Sequence, residues 1–188
     1  YQLLAAYVNT TDVDRRLRDA LQSAAEVATE NVPAVEGKVY VLVDVSNSMH
    51  DPVTGDNGSA TTSMRCIDVA ALMAASIIRR NPTAEIVVFS DHIHTGVTVS
   101  SKKTVMENSQ ILTRQPAGGT NCSMAMAHLN AGQKKGDLVV MISDYESWMD
   151  STGTQIRATQ GVPTAMMREW QAFRARIRNP ESRSSSAA

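Results

Sequence analysis

Three oxygen-bearing side chains alternate with other residues in the segment Asp44-Val45-Ser46-Asn47-Ser48. Residues two apart in extended backbone point to the same side of the chain, so the carboxylate and the two hydroxyls face one direction. Such oxygens are ligands that hard divalent cations prefer, and the small side chains leave room for water. The segment therefore predicts part of a metal site, because a hard cation needs further oxygens.

Two later segments supply further oxygens. Thr120 follows a pair of glycines, and Asp144 follows an apolar run. Taken singly, Asp, Ser and Thr at such positions also cap helices or bond loop backbone. Without paired His or Cys, oxygen ligands favour Mg²⁺ or Mn²⁺ over Zn²⁺. The predicted metal ligands are Asp44, Ser46, Ser48, Thr120 and Asp144.

Alternating strands and helices must bring these ligands together. Continuous apolar runs predict buried strands, and an alternating run after a tight turn predicts an antiparallel one, which places strands at 38–44, 85–90, 93–99 and 137–143. Apolar residues at three- and four-residue spacing predict helices at 12–30, 64–80, 103–113, 121–132 and 163–178. The polar stretch 50–63 is predicted to be a long loop.

This order of elements predicts the fold class. It indicates an α/β domain with a doubly wound, mostly parallel sheet, helices on both faces and an antiparallel edge strand. Ligands of such sheets bind beyond the carboxyl ends of the strands, which is where Asp44 and Asp144 fall. We therefore expect the metal ligands to converge at that end of the sheet.

Composition restricts the class of protein. Among the 188 residues, 43% are hydrophobic and 20% charged, which suits a globular core, and the net charge of -1 does not indicate a nucleic-acid or anionic-membrane surface. Cys66 and Cys122 lack CxxC spacing and are interpreted as reduced thiols. Without a membrane-length apolar run or a signal peptide, we expect a cytoplasmic protein.

Other polar groups receive no functional role. Asp91, His92 and His94 are interpreted as solvated surface groups rather than a zinc site. A solvated face is also the interpretation of four arginines of the last predicted helix, Arg168, Arg174, Arg176 and Arg178. The sequence has no P-loop, GxGxxG motif or nucleophile elbow, so neither a nucleotide cofactor nor covalent catalysis is expected.

Two sets of segments resemble known families. Residues 44–48, 118–120 and 143–144 resemble the metal-ion-dependent adhesion site of von Willebrand factor A domains. The wider text is similar to the C-terminal domain of bacterial orthologues of the Ro autoantigen, the TROVE family, in the segments 1–7, 31–37, 65–71, 118–122 and 144–148.

The resemblance implies a division of the chain and a set of partners. It implies an N-terminal segment with an amphipathic helix at 1–37, a von Willebrand factor A-like domain at 38–180 and a polar tail at 181–188. It also implies a ring of helical repeats upstream that binds Y RNA or misfolded RNA. Two further strands are expected downstream, so the sheet is expected to be incomplete within this chain.

The function expected from these features is binding, not catalysis. A Mg²⁺ or Mn²⁺ ion with an open coordination position would recruit a protein ligand that offers an acidic side chain, with no membrane involved. One alternative is a Mg²⁺-dependent phosphohydrolase with Asp44 as nucleophile. Ser46 argues against it, because a haloacid-dehalogenase-type phosphatase needs Asp at that position. A purely structural domain with a vestigial metal site is the third hypothesis.

Overall fold

The most buried strand of the sheet is one of its two central strands. The structure is a computed structural model that describes residues 6–7, 15–53, 64–144 and 164–178. In it, four strands lie in the order β3-β2-β1-β4: β1 is Val39–Asp44, β2 Glu85–Phe89, β3 Ile93–His94 and β4 Leu138–Ile142. β1 is parallel to β2 and to β4, and β3 is antiparallel to β2. The predicted fold class, a mostly parallel sheet with an antiparallel edge strand, is confirmed.

Helices cover both faces of this sheet. The described helices are α1 (Arg15–Ala28), α2 (Cys66–Arg80), α3 (Val105–Thr113), α4 (Cys122–Ala131) and α5 (Ala165–Arg178). All six residues of β1 are buried, and alternate ones face opposite layers. Val39, Val41 and Val43 pack with α2 and α3, whereas Tyr40 and Leu42 pack with α4 and α5. The continuous apolar run of β1 therefore serves two hydrophobic clusters at once.

β3 is shorter than the sequence predicts. The strand was expected at 93–99, but only Ile93–His94 pairs with β2. Gly96 then takes a positive φ of 77°, which turns the backbone away from an extended path. Beyond it, the Asn108 side chain accepts from the Ser100 amide at 3.1 Å and donates to the Ser100 carbonyl at 2.8 Å. The Asn108 side chain thus forms the hydrogen bonds with the Ser100 backbone that a neighbouring strand would otherwise form.

Glu26 anchors α1 to the rest of the domain. One of its carboxylate oxygens accepts from Arg79 of α2 at 2.7 Å. The other accepts from the backbone amide of Val105, the first residue of α3, also at 2.7 Å. The second contact places a negative charge at a helix N-terminus, where it is favourable. The amphipathic helix predicted at 12–30 is therefore fixed to two other helices through one carboxylate.

One arginine of α5 has a structural role that differs from the predicted one. Arg176 is not part of a solvated face, because it donates to the carbonyls of Asn130 at 3.1 Å and Lys134 at 2.7 Å, where α4 ends. Its guanidinium also lies 5.2 Å from the centre of the Phe173 ring. Arg174 lies over the Trp170 ring at 5.9 Å. Arg176 therefore helps to dock α5 on the end of α4, whereas the contact of Arg174 lies within α5.

Some predictions fall on other parts of the chain. The polar tail at 181–188, most of the predicted loop at 50–63 and the segment 145–163 lie outside the described residues. The division into segments at 1–37, 38–180 and 181–188 stays a prediction. Among the helices that the structure describes, none combines the length and the apolar character needed to cross a bilayer.

Candidate metal centre

The candidate centre lies where two neighbouring parallel strands end. Asp44 is the last residue of β1, and Asp144 follows β4 by two positions. The chain runs from β1 outward to β2 and β3 and then returns to β4 on the other side of β1. The order of the strands therefore reverses between β1 and β4, and ligands of doubly wound sheets bind in the crevice at such a point.

The segment after β1 forms a compact loop around its own hydroxyls. The Ser46 amide donates to Oδ1 of Asp44 at 2.9 Å, and the Oγ atoms of Ser46 and Ser48 lie 3.3 Å apart. A 3₁₀ turn, Ser48–His50, follows at once. Octahedral Mg²⁺ holds ligands at 2.0–2.1 Å, which puts adjacent ligand oxygens about 3 Å apart. The spacing of the two hydroxyls suits that arrangement.

Both carboxylate oxygens of Asp44 accept hydrogen bonds from uncharged donors. The Ser46 amide binds Oδ1, and the Ser143 hydroxyl donates to Oδ2 at 2.7 Å. Asp44 is fully buried, and burial raises its pKa above the ordinary value. The hydrogen bonds from Ser143 and Ser46 oppose the rise, and the nearby charge of Asp144 adds to it. A divalent cation would favour the ionised form of both carboxylates, so the electrostatics of the site fit one.

Asp144 lies within electrostatic reach of both Asp44, at the end of β1, and Cys66, at the start of α2. Its charge acts on Asp44, and it also contributes, with Asp51, to a raised pKa of the Cys66 thiol, for which burial is the main cause. Cys66 begins α2, and its amide donates to the Asp51 carbonyl at 3.0 Å. The second predicted carboxylate thus reaches the same crevice as the first. It is partly exposed, and Asp44 is not.

Thr120 is held at the start of α4. The threonine is buried, and α4 begins two residues later with the Asn121 side chain accepting from the Ser123 amide at 3.2 Å. Just before it, the Gly118 carbonyl accepts from the Asn47 amide at 2.9 Å. This bond joins the Thr120 loop to the segment that carries Ser46 and Ser48.

The structure places all five predicted ligands at one end of the sheet. The segment Asp44 to Ser48 is bonded internally, Asp144 is within electrostatic reach of Asp44, and the Thr120 loop is bonded to that segment through Asn47. Across the described part of the chain, no three His, Cys, Asp or Glu side chains form a metal-ligand group. The candidate centre is therefore composed of three hydroxyl side chains and two carboxylates, and its role in binding a metal stays a prediction.

Sequence reasoning missed Ser143. β1 and β4 are paired in parallel with Val43 opposite Ile142, so the next positions along the two strands, Asp44 and Ser143, come together. The Ser143 hydroxyl also lies 3.6 Å from the Cys122 sulfur. Strand register is a tertiary property, and no local pattern in the sequence carries it.

The two histidines after β2 contact partners within the turn, and the side chain of His92 is exposed, as the sequence predicts for a surface group. His94 Nε2 lies 2.9 Å from the Ser90 hydroxyl, and His92 Nδ1 lies 2.7 Å from Asp91 Oδ1. The two imidazole rings are stacked, with centroids 4.4 Å apart. Burial lowers the pKa of His94, with a further contribution from the charge of His92. The turn between β2 and β3 is therefore an ordered polar cluster that borders the Thr120 loop.

The order of the strands, the helices on both faces and the polar crevice between β1 and β4 define a von Willebrand factor A-type α/β domain. The profile of the family described as the Ro60 vWA domain matches residues 38–159, more than half of the chain. The chain therefore belongs to the Ro60 vWA domain family.

A solved structure supports the fold. The chain is similar to the protein described as "Crystal structure of Deinococcus radiodurans RO (RSR) protein", with a TM-score of 0.57 and 21% sequence identity. The match covers 87% of this chain and 30% of that one. The chain thus spans less than a third of the length of this Ro protein. At this identity the likeness bears on the fold alone.

Proposed function

We propose that this chain is a metal-dependent binding module of a Ro-like protein. Mg²⁺ or Mn²⁺ would be held by five side chains: Asp44, Ser46, Ser48, Thr120 and Asp144. When bound, the metal supplies a Lewis-acidic coordination position that an acidic side chain of a protein partner completes. The observation that carries the proposal is a fully buried carboxylate, Asp44, next to a second one at the β1–β4 crevice.

The cost of burying Asp44 supports a cation. A buried carboxylate is unfavourable unless it is paired, and the hydrogen bonds that Asp44 accepts at 2.9 and 2.7 Å come from an amide and a hydroxyl, not from Arg or Lys. The adjacent Asp144 makes the metal-free arrangement less favourable still. A divalent ion would offset both terms, and oxygen ligands of this kind select Mg²⁺ or Mn²⁺.

The setting within a Ro-like protein extends the proposal. Family membership and the partial coverage of the Deinococcus Ro protein support a chain that works beside a separate region. We assign binding of Y RNA or misfolded RNA to that region and recruitment of a protein partner to the metal centre. The proposed location is the cytoplasm, without a role for a membrane.

An enzymatic role is less well supported. Asp44 is fully buried, and both of its oxygens already accept hydrogen bonds, which is unfavourable for a nucleophile that must approach phosphorus. Ser46 occupies the position at which a phosphatase of this architecture would need a second carboxylate. The proposed module therefore binds its ligand without turning it over.

The test is a titration of the intact chain with Mn²⁺ and with Mg²⁺ by calorimetry, together with thermal melting with and without the metal. We expect saturable binding and a rise in melting temperature for the unchanged chain, because a ligand that binds only the native state stabilises it. Asp44→Asn keeps the shape of the side chain and should lose both effects. Asp19→Asn, on the exposed surface of α1, is the matched control and should lose neither.

Two results would contradict the proposal. Absence of binding in the unchanged chain would leave a structural domain with a vestigial site. Turnover of a generic phosphate ester in the presence of Mg²⁺, abolished by Asp44→Asn, would establish the phosphohydrolase alternative instead.

A further inference from the structure

A turn outside the predicted ligands holds the loops that carry them. Ser90 and Asp91 lie between β2 and β3, directly after the strand that neighbours β1. Ser90 is fully buried, and its backbone amide donates to the His92 carbonyl at 2.9 Å, which closes the turn. Just before the turn, the Phe89 carbonyl accepts from the Val45 amide at 2.9 Å. The turn is therefore tied to the start of the β1 loop.

Consecutive residues of this turn hold both neighbours of Thr120. Hydrogen bonding from the backbone of Gly119 helps to lower the pKa of Asp91, which puts the Gly119 amide beside this carboxylate. The amide of Asn121 donates to the Ser90 carbonyl at 3.0 Å. Thr120 lies between these two anchors, so the direction of its side chain depends on them.

Gly118 shows how closely the turn and the loop approach each other. A Cβ atom at this position would lie 2.8 Å from Asp91 Oδ1 and 2.9 Å from Ser90 Oγ. Both distances are shorter than real Cβ contacts. The carbonyl of Gly118 in turn accepts from the Asn47 amide at 2.9 Å. A continuous set of contacts therefore runs from Asp91 through the glycines to the segment between Ser46 and Ser48.

Asp91 is itself held in place on two further sides. His92 Nδ1 lies 2.7 Å from Oδ1, and the Ser90 hydroxyl donates to the same atom at 3.1 Å. These hydrogen bonds, that of His92 first, lower the pKa of Asp91, so that the group accepts from Gly119 as a carboxylate.

We infer that Asp91 is a positioning residue of the metal centre, which acts by fixing the Gly119 amide and with it the presentation of the Thr120 hydroxyl. The inference rests on the proposed metal function. Groups that hold a metal ligand without touching the metal commonly change its affinity by 10- to 100-fold when they are removed. Asp91 has this relation to Thr120 and, through Gly118, to the β1 loop.

The test compares Mn²⁺ affinity in three variants of the intact chain by calorimetry. Asp91→Ala removes the acceptor and should weaken binding by about tenfold or more. Asp91→Asn removes the charge but keeps a carbonyl oxygen for the Gly119 amide, and should recover most of the affinity. Asp137→Ala is the matched control, because the Asp137 carboxylate also accepts from a backbone amide, that of Lys38 at 2.7 Å, at the opposite end of the sheet. It should leave Mn²⁺ affinity unchanged.

Hydrogen exchange of the Gly119 amide in the metal-free chain gives an independent measurement. Exchange should accelerate in Asp91→Ala and stay slow in Asp91→Asn. Equal weakening of Mn²⁺ binding in both variants would overturn the inference, since the lost charge alone would then explain it. Unchanged affinity in Asp91→Ala, with faster exchange at Gly119, would reduce the contact to a structural one. If the unchanged chain bound no Mn²⁺, the proposed function would fail, whereas binding that is insensitive to Asp91 would contradict this inference alone.

Discussion

Replacing Ser143 by alanine removes one hydroxyl from the most buried charge of the candidate centre. That hydroxyl donates to Asp44 Oδ2 at 2.7 Å, a distance that a bond to an ionised acceptor allows. Hydrogen bonds to charged groups contribute about 1.5–3 kcal/mol to stability. The cost should not be recovered by water, because Asp44 is fully buried. We therefore expect the free energy of unfolding of the metal-free chain to fall by about 1.5–3 kcal/mol in Ser143→Ala.

For a chain of this size, 1 kcal/mol shifts the melting temperature by about 2–4 °C, so the expected fall is roughly 3–12 °C. The assay is urea unfolding and thermal melting without divalent metal. Ser76→Ala is the control, because the Ser76 hydroxyl donates to a neutral carbonyl, that of Leu72, at 2.8 Å within α2. Its loss should cost about 1 kcal/mol or less. A Ser143→Ala effect no larger than that of the control would refute the argument that Asp44 is a buried, ionised acceptor.

Three further predictions concern other parts of the domain. Glu26→Ala should lower the free energy of unfolding by about 1.5–3 kcal/mol and expose α1 to limited proteolysis, whereas Glu30→Ala, on the exposed surface, should do neither. Gly118→Ala should lower the free energy of unfolding in urea by about 1–3 kcal/mol, because the added Cβ has no space. Gly96→Ala should lower it by about 1 kcal/mol, because Gly96 lies in open space but has a positive φ. Hydrogen bonds from two lysines lower the pKa of Glu85, so its contribution to stability is present above its ordinary value of 4.5 and is lost as pH falls below that value. The melting temperatures of the unchanged chain and Glu85→Gln should accordingly differ at pH 7 and converge as the pH falls well below 4.5, and a gap that persisted in acid would contradict the assignment.

Local sequence patterns predict the elements of this fold well where burial alone determines them. β1 needs apolar residues on both faces because helices cover both, and this requirement shows directly as the unbroken run before Asp44. β3 shows the limit of such reasoning. Its alternating residues continue past His94, but Gly96 and the Asn108 side chain end the pairing with β2. Alternation predicts a half-buried extended segment, and a strand also requires a partner.

Some residues of the candidate centre could likewise be predicted from the sequence, and others could not. Asp44, Ser46 and Ser48 stand together in the sequence and could be grouped from their spacing. Ser143 could not be found, since it meets Asp44 only through the register of β1 and β4. Asp91 is exposed, as the sequence predicts, but its contact with the glycine loop depends on which loop lies against it and could not be predicted. Residues that hold a ligand in place are determined by tertiary contacts and leave little trace in local composition.

The bond between Ser143 and Asp44 joins residues 99 positions apart, which has a consequence for how the protein folds. β4 lies far from β1 in the sequence, so their pairing closes a long loop of intervening chain. Long-range parallel pairing of this kind is slow to form. We therefore expect the crevice proposed for the metal to be completed late in folding, after β2 and its helices are in place. The proposed cation would bind only the finished arrangement, so Mg²⁺ should slow unfolding while leaving the rate of folding almost unchanged. Metal loading would then distinguish fully folded molecules from chains that are still folding.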